Sequence, residues 1–444
     1  MKMNMTQDFI HGATKKSLAA MVLPLLLAMV LNMAYNLVDS LWIGNLLGET
    51  AYAALTNATP LILILNAIAM GATNGVAILL SQAVGAGDRT HSERLIATSL
   101  VLAVVFPLIL TLITELCLNP LLALLQTRQE VFALTHQYLV IYLFGYLMVF
   151  LYCYFAAVMR SYGNSLFQVV AMLICTILNA ALDPLFIHLM GFSGAAVATV
   201  LSQTLCLCFM LIYLHRKPLF TFHLSQFDTT LIKSFIAKGV PAAFQQSIPA
   251  LSTSFLTALV SSYGISALAA YGITGKLETI LFYPAMALNM ALTSIIGQCA
   301  GGRRYDRAAA YIKVALCYGT LALVLLSALV VFFADPLSHL FVDSNQAAAI
   351  VAVYFRIVGI GYVLNTLTNC YLGSLNGLGQ PGKSFICMIF YYLIVRMPLA
   401  WLLATWGFGL NGIWSAVLIS HIAAAAAALI TFNRTFLRLE RTHA

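Results

Sequence analysis

The chain has 444 residues, of which 62% are hydrophobic and only 8% are charged, and its mean hydropathy is +0.94. Soluble globular domains carry about 25% charged residues, so the composition excludes a soluble protein and indicates a polytopic membrane protein. A formal charge of +8 would suggest a nucleic-acid partner in a soluble protein. In a membrane protein we expect no nucleic-acid partner, and the positions of the basic residues instead indicate how the chain is oriented in the membrane.

Twelve segments are long and apolar enough to cross a bilayer, which takes about 20 residues. In chain order they are 17–44, 53–80, 91–113, 131–156, 166–189, 194–213, 233–259, 268–296, 306–332, 348–372, 384–406 and 411–433. Such long, continuously apolar runs differ from the short alternating strands of a membrane barrel. The first segment is also too long for a signal peptide. The predicted fold class is therefore an all-α polytopic membrane protein with twelve transmembrane helices.

The positions of Lys and Arg predict how these helices are oriented. Eighteen of the 22 basic residues, Lys2 and Lys217 among them, lie near the two termini and in every second loop. The opposite loops hold only Arg128. We therefore expect both termini in the cytoplasm. The expected location of this multi-pass protein is a bacterial or archaeal plasma membrane.

The chain contains two copies of one unit. The segment SQAVGAGDR (81–89) resembles GQCAGGRRY (297–305), and GETAYAAL (48–55) resembles GISALAAY (264–271). Six spans per copy is an even number, so both copies insert the same way and are related by a pseudo-two-fold axis along the membrane normal. We expect an N-lobe at 1–213, a cytoplasmic linker at 214–232 and a C-lobe at 233–444. A substrate could bind between such lobes, although a duplication can also be purely structural.

Charged side chains fall well inside the predicted spans. They are Asp39, Asp183, Lys276, Glu278, Arg356 and Arg396. At about 1.5 Å per residue, all of them come out in the outer half of the membrane. Intramembrane charges face a bundle interior or a wet cavity, so a polar cavity open to the outside is the simplest common cause. The alternative is that the N-terminal acids pair with the C-terminal cations across the bundle.

Polar residues form stripes on helices of the N-terminal half. The stripes consist of Asn32, Asn36 and Asp39 on span one and Asn179 and Asp183 on span five, with Thr199 beginning a set on span six. Their spacings place the members of each stripe on one helical face. Burial disfavours a charged carboxylate, and neighbouring amides can hydrogen-bond it in either protonation state. We therefore predict that Asp39 and Asp183 take up and release a cation.

Pro24 lies within the first predicted span. A proline in a transmembrane helix frees a backbone carbonyl and permits a kink. Pro24 is therefore a candidate hinge, and a fixed bend that only improves packing is the alternative.

The segment GLGQPGKS (377–384) matches the pattern of a phosphate-binding loop. That loop requires a preceding strand and a following helix within a packed α/β unit. Here the segment joins two predicted transmembrane spans, so its glycines and Pro381 indicate a tight turn between helices.

Three segments carry a resemblance to a known family: NMAYNLVDSLWIG (32–44), LNAALDPLFI (178–187) and GAAVAT (194–199). They resemble the multidrug and toxic compound extrusion (MATE) family, over essentially the whole chain. Its members are described as two six-helix lobes that export amphipathic, often cationic compounds in exchange for H⁺ or Na⁺. The resemblance implies a secondary transporter and not an enzyme. It also implies no cofactor, amphipathic small-molecule substrates, a lipid bilayer as surroundings and a monomer.

Asp183, the Asp-Pro pair and Glu278 resemble the DinF-like branch of this family, in which coupling is assigned to the N-lobe. Pro249 and Asn365 stand where the NorM-like branch has acids, so the resemblance implies that the C-lobe cation site is absent. The residues expected to couple transport to H⁺, or less favourably Na⁺, are Asp39, Asn179, Asp183 and Thr199, with the first three as the expected Na⁺ ligands. The candidates for the substrate cavity are Asn32, Asn36, Lys276, Glu278, Arg356 and Arg396.

Two other functions stay open at this point. The basic C-lobe is compatible with an anionic, zwitterionic or lipid-linked substrate, the last as in related flippases of lipid-linked glycans. An intramembrane enzyme would need a nucleophile and base, or a metal site, at membrane depth. His421 in span twelve stands alone in the sequence, so we expect it to be a packed residue and not a catalytic one.

Overall fold

The computed structural model of the chain describes residues 7–125, 127–216, 220, 223–339 and 345–443, and all regular structure in these ranges is helical. The first helices are α1 (Thr14–Leu47), α2 (Glu49–Gly85), α3 (Arg89–Leu116), α4 (Leu118–Leu124), α5 (Gln129–Ser161), α6 (Leu166–Met190) and α7 (Phe192–Arg216). They are followed by α8 (Thr230–Ser261), α9 (Ile265–Gly301), α10 (Tyr305–Phe332), α11 (Ala334–His339), α12 (Asn345–Val358) and α13 (Gly361–Gly377). The last are α14 (Pro381–Ile389), α15 (Met397–Leu403) and α16 (Gly409–His443), with π-helical segments at Phe390–Arg396 and Ala404–Phe408. The predicted all-helical fold class is confirmed.

The predicted spans correspond to helices in the part of the chain that the structure describes. Nine helices there are long and apolar enough to cross a membrane, and α12 with α13 makes a tenth span that is bent by 52°. One of the nine, Pro381–Thr442, combines predicted spans eleven and twelve, which are separated at Gly407, where φ is 89°. The remaining span is α8, which is 32 residues long but carries Gln245 and Gln246 in its middle. Span ten is therefore broken where the sequence predicted a continuous helix, and Lys2 and Lys217 lie outside the described residues.

Contacts between residues divide the chain into two compact units. Among the described residues, unit 1 comprises Gln7, Leu23–Val84 and Asp88–Ala243, and unit 2 comprises Asp8–Val22, Gly85–Gly87 and Phe244–His443. Helices α1 and α8 each contribute to both units, and the division falls within a few residues of a proline in each, Pro24 and Pro241. The units differ from the predicted lobes at 8–22, 85–87 and 233–243, and the lobe boundaries remain a prediction.

Small residues permit close helix packing inside each unit. In unit 1, a Cβ on Gly71 of α2 would lie 2.2 Å from Cα of Ala243, and one on Gly75 would lie 2.6 Å from Cα of Gly239. In unit 2, a Cβ on Gly373 of α13 would lie 2.4 Å from a backbone oxygen of α9. Helices associate in lipid largely through van der Waals contact between closely approaching backbones. Larger residues at these glycines would force the helices apart.

A tight turn joins α6 to α7 in unit 1. Gly191 has φ of 62°, in the left-handed region, and its N–H donates to a carbonyl of the last turn of α6 at 2.9 Å. Gly194 then packs so closely that a Cβ on it would lie 2.0 Å from the carbonyl oxygen of Phe186. Asp183 and Thr199 lie at equal distances along the sequence before and after Gly191. The hairpin therefore brings these two side chains to the same depth.

Helix α10 holds the residues that precede α1, within unit 2. Phe9 is fully buried, and its ring lies edge-on to that of Tyr311 with the centroids 6.2 Å apart. Arg307 donates from Nη2 to the carbonyl oxygen of Phe9 at 3.3 Å and also to that of Gly12. An aromatic contact and two hydrogen bonds from a guanidinium therefore fix this segment.

Candidate functional site

A buried polar cluster in unit 1 contains both acids predicted from the sequence. Asp39 on α1 is 7% exposed, and Asp183 on α6 is fully buried. Their carboxyl groups lie close enough to influence each other electrostatically. Asp183 Oδ1 also accepts a hydrogen bond from Asn179 Nδ2 at 2.9 Å. Two neighbouring buried carboxylates would repel each other, so the pair is suited to hold a proton or a metal cation.

Several further side chains around these acids were missed by sequence reasoning. They are Tyr35 of α1, Tyr138 of α5, Cys175 of α6 and Ser202 of α7. Tyr35 lies one helical turn before Asp39, a spacing that places both on one face and could have identified it. Tyr138 comes from a helix without a polar stripe, so no sequence signal pointed to it. Ser202 donates from Oγ to the carbonyl oxygen of Thr199 at 2.8 Å and lies 3.9 Å from Cys175 Sγ.

Five side-chain oxygen atoms of this cluster are buried and form no hydrogen bond with a described residue. They are Tyr35 Oη, Asp39 Oδ1, Asn179 Oδ1, Asp183 Oδ2 and Thr199 Oγ1. An unpaired buried polar atom costs about 1–3 kcal/mol, which a bound cation or shared proton would offset. Carboxylate, amide and hydroxyl oxygens are also the ligands that hard cations prefer. The residues present therefore fit either a proton or Na⁺, and they include all four residues predicted for coupling.

The two asparagines predicted on the same stripe as Asp39 lie outside this buried cluster. Asn32 and Asn36 are both exposed. Asn36 Nδ2 donates to the carbonyl oxygen of Asn32 at 2.8 Å, and Asn32 Nδ2 lies 3.9 Å from Met172 Sδ. Helix α1 directs Tyr35 and Asp39 inwards, and the asparagines occupy the neighbouring face. Their role in a substrate cavity remains a prediction.

A second polar cluster lies in unit 2 around Glu278 of α9. Glu278 Oε1 accepts hydrogen bonds from the hydroxyl of Tyr354 on α12 and, at 3.0 Å, from that of Tyr362 on α13. Of the other three predicted charges of this half, Lys276 and Arg356 are exposed and form no ion pair with a described residue. The structure therefore brings two buried tyrosines to the half-buried Glu278 and leaves these two cations outside the cluster.

Arg396 is the last residue of the first π-helical segment and is 8% exposed. Its guanidinium bonds to the hydroxyl groups of Tyr391 and Ser420 and contacts the ring of His421. Turns of π-helix are rare and are frequent at functional sites. His421, which the sequence left as an isolated packed residue, also bonds to Tyr391 at 2.6 Å and belongs to this buried cluster.

The segment that matches a phosphate-binding loop is a turn between α13 and α14. Gly379 has φ of 75°, and Pro381 begins α14. No strand occurs among the residues that the structure describes. Lys383 donates from Nζ to Thr435 Oγ1 at 2.9 Å. The interpretation of this segment as a tight turn between two helices is confirmed.

The model of the MatE family matches this chain twice, over residues 24–185 and 241–402. The chain belongs to the MatE family. The two matches start at Pro24 and Pro241, the prolines near which α1 and α8 pass from one unit to the other. Each half of the predicted repeat is therefore a copy of the MatE sequence pattern, and the resemblance stated from the sequence is confirmed.

Relatives of this MatE protein span most of its length. It is 27% identical over 440 residues to the probable multidrug resistance protein YpnP of Bacillus subtilis, covering 96% of both chains. It is 26% identical over 415 residues to a protein named FAD transporter from Shewanella oneidensis, covering 90% of both. Its fold matches the crystal structure of the Vibrio cholerae MATE transporter VcmN in the bent form with a TM-score of 0.91 at 24% identity, covering 97% of this chain and 98% of that chain. This MatE protein is a multi-pass membrane transporter of small molecules and not an enzyme.

Proposed function

We propose that this MatE protein exports amphipathic, cationic small molecules in exchange for protons. The observation that carries the proposal is the pair of buried carboxyl groups of Asp39 and Asp183, surrounded by unpaired oxygen atoms. Ionisable residues inside a membrane are costly and mark ion or substrate pathways. The name of the Bacillus subtilis relative, a probable multidrug resistance protein, supports the substrate class.

Asp39 and Asp183 hold the exchanged proton between them in this proposal. Asn179 Nδ2 donates to Asp183 Oδ1, so this oxygen serves as an acceptor and Oδ2 is left to bind or release the proton. The deprotonated pair is negatively charged and favours a bound cationic substrate, whereas the protonated pair does not. Because coupling between two ligands is reciprocal, a proton that weakens substrate binding is itself displaced when substrate binds.

Na⁺ is the alternative coupling ion. Its ligands would be Asp39, Asn179 and Asp183, with Thr199 Oγ1 completing the oxygen set. The proton is favoured because two neighbouring buried carboxyl groups can be neutralised by a proton alone, without a set of precisely spaced ligands. Membership of the DinF-like branch, a monomeric state and cytoplasmic termini are further parts of the proposal.

Reconstituted transport under separately imposed gradients tests the coupling ion. The purified protein is placed in proteoliposomes, and export of a fluorescent cationic dye is followed with a proton gradient alone and with a Na⁺ gradient alone. We expect the proton gradient to drive export and the Na⁺ gradient to have no effect. Export driven only by Na⁺ would reassign the ion, and equal transport without any gradient would contradict antiport.

A further inference from the structure

The guanidinium of Arg396 is held on three sides within unit 2. Nε donates to Ser420 Oγ at 2.9 Å, and Nη2 donates to the hydroxyl oxygen of Tyr391 at 2.7 Å. The guanidinium carbon also lies 4.8 Å and 4.7 Å from the ring centroids of Tyr391 and Tyr392, which is the geometry of a cation–π contact. The position of this cation is therefore fixed by side chains of its own unit before any ligand binds.

Hydrogen-bond donors are in excess around this guanidinium. Nη2 lies 3.3 Å from His421 Nε2, and since arginine can only donate, Nε2 must accept. The imidazole is then neutral with its proton on Nδ1, which donates to the hydroxyl oxygen of Tyr391 at 2.6 Å. Arg396 Nη1 forms no hydrogen bond with a described residue. Both N–H groups of Nη1 are therefore free to donate to a ligand.

The positive charge of Arg396 also has no direct counter-ion among the described residues of unit 2. It forms no ion pair with a described residue of that unit. The carboxylate of Glu278 interacts with Arg396 at longer range. Its Oε1, however, already accepts hydrogen bonds from Tyr354 and Tyr362. A buried charge is costly unless it is paired and hydrogen-bonded. A cation that is more than nine-tenths buried and keeps unused donors is thus suited to bind an anionic group.

We propose that Arg396 binds the carboxylate of zwitterionic, amphipathic substrates through Nη1. This inference rests on the proposed function, because it concerns which compounds the exporter accepts. The carboxylate of such a substrate accepts hydrogen bonds from Nη1 of Arg396, within unit 2. A hydrogen bond between charged partners is among the strongest in proteins and provides selectivity for compounds that carry a carboxylate. Compounds with the same aromatic cation but no carboxylate bind more weakly.

A matched pair of dyes tests this subsite. Tetramethylrhodamine carries a free carboxylate, whereas tetramethylrhodamine methyl ester has the same cationic ring system without it. Binding of each dye to the purified protein is measured by equilibrium dialysis, with no ion gradient. We expect the wild-type protein to bind the acid about 10-fold more tightly than the ester, as a charged hydrogen bond allows.

The variant Arg396→Gln should bind both dyes with similar affinity. The matched control is Arg434→Gln, which replaces an exposed arginine on α16 and should keep the preference for the acid. Size-exclusion chromatography establishes that each variant is folded. If Arg396→Gln does not fold, a competition experiment on the wild-type protein tests the carboxylate subsite instead. Benzoate should displace the acid dye, whereas its neutral analogue benzamide should not.

Two outcomes would overturn the proposal: equal binding of the two dyes by the wild-type protein, or an undiminished acid preference in folded Arg396→Gln. Failure of benzoate to compete better than benzamide would have the same meaning. None of these measurements uses an ion gradient, so they leave proton-coupled export untouched. Conversely, export driven by Na⁺ would revise the coupling ion and leave the dye preference as it is.

Discussion

Asn179 Nδ2 donates to Asp183 Oδ1 at 2.9 Å, one helical turn away on α6. The amide can donate to a carboxylate, and its own oxygen can accept from a protonated carboxyl group. We expect Asn179→Ala to fold but to lower the initial rate of gradient-driven export about 10-fold, because a buried charge loses a hydrogen bond. An unchanged rate in proteoliposomes would mean that the amide does not support the acid pair.

Replacing either acid of unit 1 should abolish coupling. Asp39→Asn and Asp183→Asn should each fold and lose gradient-driven export, and the double variant should be little worse than either single one, because the two act as a unit. The control is Asp335→Asn, the same substitution at an exposed acid at the start of α11. This control should export at the wild-type rate.

The proton count provides an independent measurement of the same prediction. Purified wild-type protein in weakly buffered solution near neutral pH should release protons when substrate binds, and Asp183→Asn should release fewer. Wild-type export together with an unchanged proton count in Asp183→Asn would make the carboxylate structural. An ion pair with one of the C-terminal cations would then be the better interpretation.

Pro24 marks the place where α1 passes from unit 2 to unit 1. If α1 must bend there during transport, Pro24→Ala should be folded but should transport several-fold more slowly, because a continuous backbone hydrogen-bond ladder stiffens the helix. Thermal denaturation should show equal or higher stability, which separates this effect from misfolding. Wild-type turnover would indicate that the proline only shapes the packing of α1.

The substitution Gly194→Ala tests whether close packing keeps α6 and α7 aligned in their hairpin. A Cβ there would lie 2.0 Å from a backbone oxygen of Phe186, so Gly194→Ala must push α7 away from α6. We expect a loss of about 2 kcal/mol in stability, typical of overpacking, and impaired export because Thr199 moves. The matched control is Gly275→Ala, where the added Cβ meets nothing within 4 Å. Equal melting temperatures for the two variants would contradict this account.

The orientation predicted from Lys and Arg can be tested with a reporter fused to the C-terminus. Alkaline phosphatase is active only outside the cytoplasm, and green fluorescent protein is fluorescent when it folds inside it. We expect fluorescence and no phosphatase activity from C-terminal fusions, because the basic residues cluster on one predicted side. Phosphatase activity of the C-terminal fusion would show that the C-terminus lies outside the cytoplasm and that the predicted orientation is wrong.

The sequence predicted the helices and the acidic residues well, for physical reasons. A transmembrane span needs a long apolar run, so each span is visible in composition. Asn179 and Asp183 were found because a polar pair one turn apart stands out in an apolar helix. The sequence also contains the information that Asp183 and Thr199 lie at the same depth, since both are equally far along the chain from the turn at Gly191.

Other features depend on packing between helices that are distant in sequence. Tyr138 lies on α5 near enough to Asp39 for the two to interact electrostatically, and aromatic residues are so common in these spans that none of them stands out. The partners of Arg396 were equally hidden, since the bonds to Ser420 and His421 link the π-helical segment to α16. Periodicity of 3.6 residues cannot predict a π-helical segment, because the extra residue per turn changes which side chains share a face.

The N-terminal segment has a consequence for how this protein is produced. Phe9 is fully buried against Tyr311, and the guanidinium of Arg307 bonds to two carbonyl groups of the same segment. Trimming the chain to the start of α1, as is often done to remove a presumed leader before expression, would uncover the ring of Tyr311 on α10 and leave Arg307 without these acceptors. Truncated protein should therefore give lower yields in detergent, and purification tags are better attached after α16, whose last described side chains are exposed.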